Sequence, residues 1–153
     1  METYWRISNF KDLGGEGGRR ASARWHTAGS PVVYLAESPM AALVETLVHL
    51  DVDGEDIPDS YTLLRITAPE ELPVQPLDPP EGNEWRQDLE LTRRIGDAWL
   101  ASQKTPLARV PSAMMPYTWN FLLNPEHPDA AKIEIAEVIR EHFDNRLFRI
   151  GAH

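Results

Sequence analysis

The sequence predicts an α+β fold: a mixed, split β-sheet with flanking helices. Short β-rich runs recur along the whole chain. Two stretches, beginning at Ser38 and at Asn83, open with a capping residue and continue with apolar side chains at helical spacing. No internal repeat and no linker divides the 153 residues, so the chain is expected to form one domain, 1–153, large enough for a real core. Short strands broken by two clear helices read as α+β.

In order along the chain, Tyr4 to Ser8 is the first expected strand. Lys11 to Ala23 holds four glycines and the pair Arg19-Arg20, and reads as a loop. Its Gly-Gly-Glu-Gly-Gly run lacks the Gly-Lys-Ser/Thr ending of a phosphate-binding loop, and no strand leads straight into it. Val32 to Ala36 follows a Gly-Ser-Pro turn and reads as a strand. Ser38 is placed as an N-cap and Pro39 as the first residue of a helix that runs to about Leu50. Met40, Leu43, Val44, Leu47, Val48 and Leu50 form its apolar arc. Glu45 falls just past the edge of that arc, and on this geometry alone it reads as a solvent-facing carboxylate.

Asp51 to Ser60 is acidic and turn-rich, a surface loop. Tyr61 to Thr67 is the next strand. Ala68 to Gly82 carries five prolines and is expected to be irregular. Asn83 caps a second helix, Glu84 to Ser102, with Trp85, Leu89, Ile95 and Trp99 on its core side. Leu107 to Val110 is a strand that ends at Pro111-Ser112. Tyr117 to Leu123 is extended, and Asn124 to Asp129 is a turn with two prolines. Ala131 to Ile139 fits two patterns: Ile133 and Ile135 alternate with Lys132 and Glu134 as in a strand, while Ile133, Ala136, Ile139 and Phe143 fit a helix.

Composition narrows the function classes. A hydrophobic content of 42% and five tryptophans fit a folded chain rather than a disordered one. The absence of cysteine removes disulfides and thiolate metal sites, and no His/Asp/Glu cluster has metal-ligand spacing. No signal peptide or membrane-spanning run is apparent, which suits a cytoplasmic protein. The net charge of −9 argues against direct nucleic-acid binding by this chain. An anionic substrate therefore needs a local basic pocket.

Arg24-Trp25, Gly29-Ser30-Pro31, Val33-Tyr34-Leu35-Ala36 and Ala42-Leu43-Val44-Glu45 together resemble the core signature of RES-domain toxins, the toxin halves of RES–Xre toxin–antitoxin pairs. Trp5-Arg6-Ile7, Pro111-Ser112, Asn124-Pro125 and His127-Pro128 extend the resemblance over nearly the whole chain. The spacing Arg24–Tyr34–Glu45 is its specific part. The Arg, Glu and Ser that name the family match Arg24, Glu45 and Ser112. The resemblance implies a fold similar to ADP-ribosyltransferases of the diphtheria-toxin kind, and it favours a strand at 131–139. It further implies that NAD is the substrate, consumed rather than held as a cofactor, and that the bond broken joins nicotinamide to ribose.

That chemistry makes sense of the residue types. Nicotinamide leaves with its bonding electrons and positive charge builds on the ribose. A carboxylate beside that ribose stabilises the charge, which is the role for Glu45. An aromatic face grips a flat ring, the role for Tyr34. A guanidinium forks onto a diphosphate or sits at the nicotinamide ribose, the role for Arg24. Ser112 offers a small hydroxyl to a phosphate or to water, and Asn120 is placed in the pocket lining. His49 and His127 read as structural, and nothing arranges a Ser-His-Asp triad. Three functions share this site: NAD depletion by hydrolysis or phosphorolysis, ADP-ribosyl transfer to a protein, and an inert module that only engages its antitoxin. The resemblance supplies the partner, a helix-turn-helix Xre-type antitoxin that assembles with the toxin and carries any DNA contacts.

Overall fold

The computed structural model describes residues 1–49 and 58–149. Its strands are β1 (Glu2–Ile7), β2 (Val33–Ala36), β3 (Ser60–Ala68), β4 (Val74–Pro76), β5 (Leu107–Pro111), β6 (Trp119–Leu123) and β7 (Glu134–His142). Among the described residues they form one seven-stranded sheet in the order β4-β5-β6-β2-β1-β3-β7. Only β4 and β5 pair in parallel, so the sheet is mixed. The expected α+β class is borne out, and the split has a definite location. β1 and β2 share a single registered pair, Trp5↔Ala36, whereas β1 pairs with β3 along the whole of β1. Two ladders thus meet at that one pair.

Alternation along the strands fills both faces. Tyr4, Val33, Leu35, Leu64, Ile66, Leu107 and Leu123 pack together on one side. Trp25, Val32, Trp85, Trp99, Ala108, Val110 and Leu122 pack on the other, with Tyr34 against them. Each fully buried Leu or Val contributes roughly 1.5–3 kcal/mol before the cost of ordering it. The tryptophans at 85 and 99 are core, as their spacing indicated.

The helices differ from expectation in instructive ways. α2 (Pro39–Leu47) starts as expected, with the Ser38 hydroxyl accepting from the Ala41 N–H at 3.0 Å. Leu50 and residues 51–57 of the expected loop lie outside the described residues. The apolar arc of α2 does not all face inward: Met40, Val44 and Val48 are exposed, and Ala42 is the buried residue. The helix packs on β1 and β2 through a narrow contact, so a broad arc outruns the surface available to cover it. The second helix is two pieces. Glu84–Gln87 is a 3₁₀ turn, and α3 is Leu89–Ser102. Asp88 rather than Asn83 caps α3, accepting from the Leu91 N–H at 3.1 Å.

Two segments expected to be irregular are ordered. Glu16–Arg20 is a short helix, α1. It presses Gly18 against Val32, where a Cβ would meet Val32 Cγ1 at 2.7 Å, so only glycine permits the approach. Val74–Pro76 forms edge strand β4, where a proline that cannot donate is tolerated. Residues 134–142 are a strand, which resolves the double pattern at 131–139. No described helix is long and apolar enough to cross a membrane.

Candidate active site

The site begins with a short segment held by a helix. Residues 23–27 run along α3, which grips them from several positions. Thr92 Oγ1 donates to the Arg24 carbonyl at 2.5 Å, and Arg93 Nε donates to the Ala23 carbonyl at 2.8 Å. Asp97 accepts from the Thr27 N–H at 2.9 Å and the Thr27 hydroxyl at 2.7 Å. At Gly96 the helix touches the Trp25 backbone so closely that a Cβ would fall on the Trp25 carbonyl oxygen. This grip places Arg24. Its Nη1 donates to the Arg86 carbonyl at 2.7 Å, and among the described residues it forms no ion pair.

β2 then supplies Tyr34 and α2 supplies Glu45. Tyr34 lies on the strand face opposite Val33 and Leu35, and its hydroxyl is engaged by the protein. The Trp25 N–H donates to it at 3.1 Å, and His26 Nδ1 lies 2.8 Å away. Burial pushes the Tyr34 phenol far above the ordinary tyrosine range; the Trp25 N–H opposes the shift and Asp97 adds to it.

Sheet register brings distant residues to Glu45. Asn120 on β6 pairs with Ala36 on β2 and with Val110 on β5. Its Nδ2 donates to Glu45 Oε1 at 3.0 Å. Ser112 follows β5, and its hydroxyl donates to the same Oε1 at 3.3 Å. The Ser112 oxygen also accepts the Met114 and Met115 N–H groups, at 3.1 and 3.3 Å. Both bonds to Glu45 fall on Oε1; among the described residues nothing bonds Oε2. Glu45 is therefore not the solvent-facing carboxylate its helix position suggested. Ser112 is 4% exposed, and its hydroxyl is already bonded to Glu45 and to the Met114 and Met115 N–H groups.

Arg24, Tyr34, Glu45 and Asn120 line one cleft of about 720 Å³, within the range of small-molecule sites. Trp5 and Arg6 of β1 and Tyr34 and Ala36 of β2 line it, around the one registered pair of the two strands. Arg6, Arg24 and Arg93 also line it, against one acidic side chain among the described residues, that of Glu45. A chain of net charge −9 thus holds a locally basic pocket. Burial holds the Arg6 guanidinium below its ordinary value, with Asp12 opposing. Such a cleft suits an anionic ligand bearing a flat ring, with Glu45 ready to face developing positive charge. Sequence reasoning missed Arg6, Arg93 and His26. Arg6 had a signal, its place in Trp5-Arg6-Ile7. The other two depend on packing by residues far along the chain. His127 Nδ1 accepts from the Asp129 N–H at 3.0 Å. His49 lines the cleft rim and is exposed.

Comparisons with known proteins give the chain a family and a fold. A family model for the RES domain matches residues 3–145. A protein of Pseudomonas putida named Toxin Res is 47% identical over 146 residues, covering 94% of this chain and 98% of its own. The Prs ADP-ribosylating toxin of a Sphingobium species is 34% identical over 160 residues, covering 96% and 97%. Among solved structures, the MbcT–MbcA toxin–antitoxin complex of M. tuberculosis holds a chain that superposes with a TM-score of 0.71 at 19% identity, covering 97% of this chain and 87% of that one. At that identity the likeness concerns the fold.

Proposed function

The chain belongs to the RES domain family, and on that premise we propose that it is the toxin of a toxin–antitoxin pair and acts by cleaving the nicotinamide–ribose bond of NAD. The observation that carries this is Glu45 in the cleft, fixed through Oε1 by Asn120 and Ser112, with Oε2 unengaged among the described residues. Nicotinamide stacks on the Tyr34 ring. Arg24, with Arg6 and Arg93 in the same cleft, takes the diphosphate. As the glycosidic bond breaks, its electrons leave with nicotinamide and the ribose becomes oxocarbenium-like. Oε2 faces that charge or accepts a ribose hydroxyl, in a bond that tightens in the transition state. Holding Oε1 with two side chains means little reorientation is needed as the charge forms.

The acceptor divides two readings. Water or phosphate gives NAD depletion. A protein side chain gives ADP-ribosylation, a reading favoured by the relative named Prs ADP-ribosylating toxin. Purified protein incubated with NAD labelled in the ADP-ribose part, with and without phosphate and lysate protein, separates them. Free nicotinamide with soluble label supports depletion; label on protein supports transfer. No nicotinamide release under any condition rejects both and leaves an inert antitoxin-binding module.

The proposed partner is an antitoxin of the helix-turn-helix Xre type. A chain of net charge −9 is steered toward a basic partner surface, and DNA contacts would fall to that partner. Expression of this chain alone in bacteria should arrest growth as NAD falls, and co-expression of the antitoxin should restore it.

A further inference from the structure

His26 lines the cleft yet is 1% exposed, with both ring nitrogens bonded. Nε2 lies 2.9 Å from the Gly18 carbonyl oxygen. A carbonyl only accepts, so Nε2 carries the proton. In the neutral ring Nδ1 is then an acceptor, and it lies 2.8 Å from the Tyr34 hydroxyl. That hydroxyl receives the Trp25 N–H at 3.1 Å, so its own proton goes to His26. The result is a directed chain: Trp25 N–H to Tyr34 hydroxyl, Tyr34 to His26 Nδ1, His26 Nε2–H to the Gly18 carbonyl.

We propose that His26 is a positioning residue, and that its Nε2–H tautomer fixes the Tyr34 ring in the orientation that receives the flat leaving group. The inference rests on the proposed NAD chemistry. The Tyr34 hydroxyl has no proton left for the substrate, so the working surface of Tyr34 is its ring face. A ring is located by its backbone and by its far end. β2 fixes the first, and His26 with Trp25 fixes the second. The His26 and Tyr34 rings are tilted by 49° with centroids 5.6 Å apart, so the link is the hydrogen bond and not a stack. Gly18 in α1 anchors the far side of His26, which ties this glycine-rich segment to ring placement.

The test is a double-mutant cycle on the full chain, read as KM and kcat for NAD. His26→Leu fills the space but removes the acceptor; His26→Asn keeps an acceptor near the Nδ1 position. His26→Leu should raise KM about tenfold, the scale of one hydrogen bond, with kcat within about threefold. Tyr34→Phe removes that bond and the Trp25 N–H bond as well, so it should raise KM at least as much, and the double variant no further than Tyr34→Phe alone. His26→Asn should recover most of the loss. Independent, additive effects, or a wild-type KM in His26→Leu, would overturn the proposal. If His26→Leu does not fold, Tyr34→Phe decides: a wild-type KM there overturns the proposal equally. Failure of wild-type protein to release nicotinamide is a separate outcome and counts against the NAD reading itself.

Discussion

At the scale of the residue, Glu45 depends on its neighbours more than on its own position. A carboxylate one turn from the end of a surface helix is ordinarily solvated. Here Asn120 and Ser112 converge on one of its oxygens. On the proposal that Ser112 orients Glu45, Ser112→Ala should lower kcat only about tenfold, the loss of one hydrogen bond to a charged group. Steady-state turnover of NAD checks this; a fall of about a million-fold, as for a lost nucleophile, would contradict it. For Tyr34 the ring matters more than the hydroxyl. Tyr34→Ala should therefore lose far more of kcat/KM than Tyr34→Phe, and equal losses would move the work to the hydroxyl. The same phenol gives a stability prediction. Burial raises its pKa above the ordinary 10.0, so its stabilising contribution is intact below about pH 10 and is lost as pH rises toward the folded value. Chemical denaturation across that range should show a smaller alkaline loss in Tyr34→Phe than in wild type.

At the scale of the element, α3 acts as a clamp. Thr92, Arg93, Gly96 and Asp97 hold residues 23–27, and Gly96 allows the backbones to meet. Gly96→Ala should destabilise the protein by about 2 kcal/mol or more, because the added methyl has no space and the helix must shift. Urea midpoints measure this, and an unchanged midpoint would contradict the clamp. Any active remainder should show a raised KM, since the shift moves Arg24. The legibility of these elements was uneven. The strand-to-helix unit from Tyr34 to Glu45 was readable because its turn, cap and proline are local signals. α1 was not, since five residues carry no apolar period and its fit depends on Gly18 meeting Val32. The break at Asp88 was hidden because Trp85 continues the spacing of α3 across it. The link of Asn120 and Ser112 to Glu45 was legible only as membership of the site. Their actual contacts follow from the β2–β6–β5 register, which no local pattern encodes.

At the scale of the whole molecule, one narrow junction in the sheet organises the function. β1 and β2 share one registered pair, Trp5↔Ala36, and side chains of both strands line the cleft. The two ladders bring side chains from β1, β2, α2, α3 and β6 to one space. Among the described residues, an acidic chain thereby gathers three arginines and one carboxylate around the cleft. The central claim is that this carboxylate stabilises the charge formed when NAD loses nicotinamide. The most direct test is nicotinamide release from NAD by wild type and by Glu45→Gln, with circular dichroism confirming the fold of both. Glutamine keeps the shape and removes the charge, so turnover should fall by several hundred-fold, about 3–4 kcal/mol of transition-state stabilisation. Turnover within about tenfold of wild type would contradict the claim.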